Sequence, residues 1–264
     1  MKRLISVLCV VLWALPAAAD PVHLHRLLRM DEFVEVMRQE GLSFGEELGQ
    51  DLLPDGGGKL WHQRLERLYE LEGMQGGVAQ VFVQSMDPKL SAEAEAFFET
   101  PLGQQVVASE LAARRAMLNA GVEEASRNEA KSLPLARARA LADFIDANEL
   151  VEYNVMGGMT AQLRFFQGLA RGGYLDMTEE DILDDAWAIE DELRTDTQEW
   201  LMGYLMLSFE PQSIEEINAY TKFARTPPGR AVTQAIFQAY DRMYADLSLA
   251  LGWALAVQAL GEEL

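Results

Sequence analysis

Beyond position 9 this chain has no cysteine. Cys9 itself lies within an N-terminal leader, too early and behind too large a residue, Leu8, for a lipoprotein cleavage site. The rest of the chain therefore has no disulfide, no thiol nucleophile and no thiolate metal ligand. Histidine is nearly absent too: only His23, His25 and His62 occur, so a Ser-His-Asp arrangement would have to recruit one from the first third. His23 and His25, with the amine and carboxylate of Asp20, have the groups to chelate a transition metal. Two histidines two positions apart lie on different sides of a helix, however, and the expectation is a solvated entry strand with no metal and no cofactor.

Positive charge is also short. The 264 residues hold 22 Lys and Arg against 42 Asp and Glu; without Lys2 and Arg3 the balance is 20 against 42, a net charge of −22. Like charge repels, so nucleic acid and anionic lipid surfaces are excluded as partners. Solubility is the ordinary meaning of such a balance, and an acidic docking face for a basic partner is the alternative.

No apolar run is long enough to span a membrane. Leu4 to Leu15 is apolar except for Ser6, about a dozen residues where a span needs roughly 20. Lys2 and Arg3 precede it and Ala17-Ala18-Ala19 follow, the pattern of a secretory signal. Cleavage is expected between Ala19 and Asp20, with export to the periplasm or beyond. "LSLALGWALAVQAL", residues 247–260, would cover only about 21 Å as a helix. Apolar on every side, it is expected to be a central buried helix or a surface covered by a partner.

Runs of alternating polarity are few as well. Between prolines 21, 54, 88, 101, 134, 211, 227 and 228, apolar residues recur at helical spacing. Val107, Leu111, Arg114 and Leu118 follow Pro101; Val232, Ile236, Ala239, Met243 and Leu247 follow Pro228. The fold class is all-α, two related multi-helix units packed into one bundle-like body.

The relation between the units is carried by "FFETPLGQQV" (97–106) and "FARTPPGRAV" (223–232), in which Phe, Thr-Pro, Gly and Val recur 126 positions apart. Each stretch reads as a corner between helices. The residue before proline leaves the helical region, so the first helix stops there. Thr100 or Thr226 then caps the next helix, and Pro101 or Pro227 takes its first position, where a missing N–H costs nothing. Gly103 or Gly229, one turn in, lets a neighbouring backbone come close.

Ser85-Met86-Asp87-Pro88 recurs as Ser208-Phe209-Glu210-Pro211, so the second unit has three extra residues between its prolines, read as almost one turn added to the intervening helix. Upstream, "MDEFVEV" (30–36) weakly matches "LADFIDA" (141–147). The units are set at 20–133 and 134–264 after a signal of 1–19, with Lys131 to Pro134 as the joint. Gly172-Gly173 ends one helix, and Thr178 with Asp181 makes a capping box for the next.

"AEAFFETPLGQQVVASELAARRAML" (94–118) resembles the core of the bacterial domain-of-unknown-function 2059 family, and "NAYTKFARTPPGRAVTQAIFQAYDRMY" (218–244) resembles it too. The resemblance implies an exported, mostly helical protein in two degenerate copies. It supplies no activity and no catalytic residue.

Candidate chemistry is thin. Glu179, Glu180, Asp181, Asp184, Asp185, Glu190, Asp191 and Glu192 form the densest charge feature, and Glu180 with Asp184 and Asp181 with Asp185 share a helix face. Such pairs have the groups for cation binding or acid-base work, but no Gly-centred calcium loop accompanies them, and a solvated face is the expectation. Asp55-Gly-Gly-Gly-Lys59 lacks phosphate-loop spacing and reads as a turn. Gly76-Gly77 and Gly157-Gly158 sit inside helical patterns at about 1 kcal/mol each, which predicts close helix contact. The methionines, Met156, Met159, Met202, Met206 and Met243 among them, mark either an adaptable binding groove or packing filler.

Two functions remain in view. One is a non-catalytic exported protein that binds or shields another envelope protein or a small apolar ligand. The other is a carboxylate-dependent hydrolase of envelope polymers, for which two carboxylates should converge in one cleft, one of them protonated near pH 7. A unit of about a hundred residues leaves an apolar face unburied, so the units should pair. Either a groove at their seam follows, near the two corners or beside Trp253, or a fully closed core.

Overall fold

The computed structural model describes residues 20–261. The expected signal, with Ala19 at its cleavage site, lies outside the described residues. Among those described there is no strand, only thirteen α-helices and one 3-10 turn. The first half runs α1 (Pro21–Leu27), α2 (Met30–Leu52), the 3-10 turn (Pro54–Gly57), α3 (Gly58–Leu68), α4 (Leu71–Ser85), α5 (Pro88–Phe98), α6 (Pro101–Ala116) and α7 (Ala120–Ala130). After a break at 131–134 come α8 (Leu135–Ala147), α9 (Leu150–Arg171), α10 (Glu179–Ala188), α11 (Glu190–Ser208), α12 (Ile214–Ala224) and α13 (Pro227–Ala259). No described helix is long and apolar enough to cross a membrane.

Both Thr-Pro corners form as local chemistry dictates. The Thr100 hydroxyl donates to the Phe97 carbonyl at 2.7 Å and accepts from the Gly103 N–H at 3.0 Å. Thr226 does the same with Phe223 at 2.6 Å and Gly229 at 3.2 Å. A Cβ on Gly103 would stand 2.4 Å from the Phe97 carbonyl oxygen, and one on Gly229 2.2 Å from that of Phe223. Glycine is required at both places because the preceding helix ends against its backbone.

The three extra residues of the second half do not lengthen its helix. α5 and α12 are both 11 residues long. Pro88 opens α5 behind the cap Asp87, whereas Pro211 lies in a turn and Ser213 caps α12, forming a capping box with Glu216. The upstream match also shifts. Residues 30–36 open α2, but 141–147 close α8. What corresponds is the joint: Arg29 (φ 53°) precedes α2 and Glu149 (φ 52°) precedes α9, left-handed residues that neither side chain favours. The Gly172-Gly173 stop and the Thr178–Asp181 capping box form as the sequence suggests: Gly173 is left-handed (φ 78°), and the Tyr174 N–H reaches back to the Leu169 carbonyl at 3.0 Å.

Each half packs helices against the other. α13 lies along α9 and also against α4 of the first half, while α6 lies against α11 of the second. Two apolar clusters result, and each draws on both halves. Trp61, Phe82 and Phe98 pack with Val232, Leu251 and Leu255; Val106 packs with Phe144, Leu201, Leu205 and Phe209.

Close helix contact occurs at glycines, though not all those expected. A Cβ on Gly76 or Gly77 would meet nothing within 4 Å. Gly157 and Gly158 do face neighbours, the Asp241 carboxylate and Leu193. The tightest crossing joins α9 to α13: a Cβ on Gly168 would stand 2.3 Å from the Leu249 carbonyl oxygen, and one on Gly252 2.1 Å from that of Phe165. These two backbones can touch only without side chains there. α13 is not covered on every side, however, because Trp253 is 43% exposed.

The N-terminal segment is a helix and not an entry strand, since Asp20 accepts from the Val22 N–H at 3.0 Å and caps α1. His25 is buried beside Phe82 and its imidazole is held below the ordinary histidine range by burial, while His23 meets Glu99 at 3.2 Å.

Candidate functional site

A partly open cavity of about 530 Å³ lies where the halves meet. Both corners border it. Phe97 and Phe223, the equivalent phenylalanines of the two motifs, stack with centroids 3.9 Å apart and planes at 4°; Phe98, Phe223 and Gly229 form part of the wall. Tyr220 joins the corner aromatics to the second core, 4.8 Å from Phe144 and 6.0 Å from Phe209. Opposite stand Trp200 and Tyr204, stacked at 5.0 Å. The walls are aromatic and aliphatic, and none of Met156, Met159, Met202, Met206 or Met243 is among them; Met30 and Met37 are.

The polar groups of the cavity come from several helices. On α6, the helical repeat that buries Val107 and Leu111 also turns Glu110 and Arg114 inward. Arg114 is held by Glu40 of α2 at 2.6 Å and lies over the Trp200 ring at 4.9 Å. Burial pushes Glu40 up, with Arg114 opposing it. Glu110 has no such partner: burial alone pushes its carboxyl from an ordinary 4.5 to about 8, so it is neutral at pH 7. Its backbone carbonyl accepts from the Tyr204 hydroxyl at 3.1 Å.

On α13, Asp241 follows the wall residues Phe237 and Tyr240, and burial pushes it to about 6. One of its oxygens occupies space that a side chain on Gly157 would claim, 2.7 Å from the position of that Cβ. On the wall from α8 and its joint, Asn148 donates to the Phe144 carbonyl at 3.0 Å and accepts from Thr233 at 2.8 Å. The cavity tyrosines 204, 220, 240 and 244 all have hydroxyls pushed up by burial and stay neutral.

The corner residues Thr100, Pro101, Gly103, Thr226, Pro227 and Gly229 thus shape the cavity more than they line it, only Gly229 touching its space. The acidic cluster stays outside. Glu179, Glu180, Asp184, Asp185, Asp191 and Glu192 are exposed, Asp181 is spent on the capping box and Glu190 pairs with Arg194 at 3.0 Å. Among the described residues no group of three or more His, Cys, Asp or Glu is placed to hold a metal.

Glu110 and Asp241 escape a search for charge clusters because each stands alone. Their signal is weaker: a carboxylate set inside an apolar stripe, Glu110 three after Val107 and Asp241 four after Phe237. Arg114 in the same stripe carries that signal too.

Residues 72–128, essentially α4 to α7, match the family model DUF2059, an uncharacterized protein conserved in bacteria. The match is a single copy, and the second Thr-Pro corner lies outside it. No curated protein and no solved structure matches the chain.

Proposed function

We propose that the chain is an exported, non-catalytic helical protein built from two related halves, and that it carries a small apolar ligand in the cavity between them. The cavity carries this reading: its size lies within the range of small-molecule sites, its walls are aromatic and aliphatic, and both halves supply them. The paired joints and corners support the relation between halves. Export to the periplasm rests on the leader sequence. Asp20 caps α1, so a chain cut before it keeps that cap.

Titration with the neutral dye N-phenyl-1-naphthylamine tests the reading. One dye per chain is expected, with binding lost in Ala161→Trp, which fills the cavity from α9, while thermal unfolding stays cooperative. Equal dye binding by parent and variant would defeat it.

A second reading has one observation in its favour. Glu110, neutral at pH 7, and Asp241, ionised there, share the cavity, which is the division of labour a carboxylate-dependent hydrolase of envelope polymers uses. Release of soluble fragments from peptidoglycan by the parent, lost in both Glu110→Gln and Asp241→Asn, would establish it. A parent that releases nothing would dismiss it.

A further inference from the structure

The cavity's charges do not balance. Two carboxyls, Glu110 and Asp241, face it from α6 and α13, and neither has a side-chain ion pair or hydrogen bond among the described residues. Among the described residues the one cation on its wall is Arg114, already engaged by Glu40 and by the face of Trp200. The same cavity is lined by the rings of Phe144, Tyr204, Tyr220, Phe223, Phe237 and Tyr240. α9 makes room for the Asp241 carboxylate by having glycine at 157, a residue that costs about 1 kcal/mol within a helix.

Three kinds of ligand can be compared. An anion would meet an ionised Asp241, with no free cation among the described residues to receive it. A neutral apolar molecule would displace water from both carboxyls and give nothing in return, a cost of about 1–3 kcal/mol for each polar group left unpaired. A cation supplies what is missing, a counter-charge for the carboxyls and a charge for the ring faces to hold. The acidic exterior raises its local concentration.

Resting on the cavity reading above, we propose that the ligand is an organic cation: an amine or quaternary ammonium on an apolar body, its charge received by the cavity's carboxyls, Glu110 and Asp241, and its body against the rings. Binding at pH 7 then ionises Glu110, which otherwise keeps its proton there, so the cation enters as a proton leaves. Affinity rises with pH from about 6 to about 8, through the range in which Asp241 and Glu110 titrate. The other titratable groups facing them are Arg114 with its partner Glu40 and tyrosines 204, 220, 240 and 244. Arg114 keeps its charge and the tyrosines stay neutral across that range.

Three probes of one shape and different charge test this: 4-phenylbutylamine, 4-phenylbutanol and 4-phenylbutanoate, titrated calorimetrically into the full protein at pH 7 in buffers of low and high ionisation heat. The amine should bind at one site at least tenfold more tightly than the alcohol, with the carboxylate weakest. The amine's heat should change between buffers by the amount that proton release requires. Asp241→Asn should weaken the amine about tenfold or more and leave the alcohol unchanged; Glu110→Gln is a second variant should the first not fold. If alcohol and amine bind equally, the cation is wrong and the apolar cavity stands. If no probe binds, both fail. Amine binding that both variants leave intact would put the cation elsewhere and overturn the proposal.

Discussion

α6 and α13 begin with the same corner and then part ways. α6 stops at Ala116, and α7 restarts at Ala120 because the Asn119 side chain accepts from the N–H groups of Gly121 and Val122. At the same distance from its corner α13 has Ala245, which offers no such cap, and the helix runs on for 33 residues in all. Inside the cavity the same spacing sets Glu110 against Ile236 and Arg114 against Tyr240. Equal backbones therefore carry different work at these positions: α6 brings charged side chains to the seam where α13 has Ile236 and Tyr240. The family model matches only the first half, while the corner geometry is common to both.

The comparison is broken most severely along α13. Leu255 is fully buried whereas Leu118, in the turn that follows α6, is 38% exposed. Leu255→Ala should lower the unfolding free energy by about 2–5 kcal/mol, and Leu118→Ala by less than about 1 kcal/mol, in urea titrations. Leu255 does not line the cavity, so dye binding per folded molecule should persist.

The corners come next. Gly103→Ala and Gly229→Ala each force a Cβ against a carbonyl oxygen, and each should cost about 1–3 kcal/mol by the same measurement. A loss at one corner only would show that their likeness is superficial.

A third test exploits the Glu110–Ile236 difference. Unfolded, Glu110 ionises near 4.5; folded, it keeps its proton to about 8. The folded state then binds the extra proton, so the stability associated with Glu110 is complete at acid pH and is lost as pH rises through about 8. Glu110→Ile, which copies the second half, should flatten this dependence. At pH 8 it should raise stability by on the order of 2 kcal/mol, less than the full shift implies because the carboxyl borders a partly open cavity. Thermal melts from pH 4 to pH 9 would show it. The smallest effect is capping: Thr100→Ala and Thr226→Ala should each cost about 1 kcal/mol.

What the sequence made legible was whatever a few adjacent residues decide. Thr-Pro-x-Gly states its cap, its first helical residue and its close approach within four positions, so both corners were readable. Thr178–Asp181 and Gly172-Gly173 were readable for the same reason. The seam was foreseeable only as a place, from apolar faces that needed a partner. Its polar residues were not, because helix rotation and the packing of α6 and α13 across the halves decide which side of a stripe faces a void. Gly76-Gly77 and Gly157-Gly158 look alike in sequence, yet only the second pair meets a neighbouring helix. The left-handed joints at Arg29 and Glu149 carry no signal at all, since neither residue prefers that conformation.

An apolar ligand is expected between the halves and not on the open face of α13. Trp200 lines the cavity and Trp253 does not. Quenching of tryptophan emission by 1-bromonaphthalene, a heavy-atom quencher, separates the two sites. Saturable quenching should be abolished in Trp200→Phe and retained in Trp253→Phe. Quenching that survives the loss of Trp200 and disappears with Trp253 would contradict the claim and place the ligand on the exposed face of the last helix.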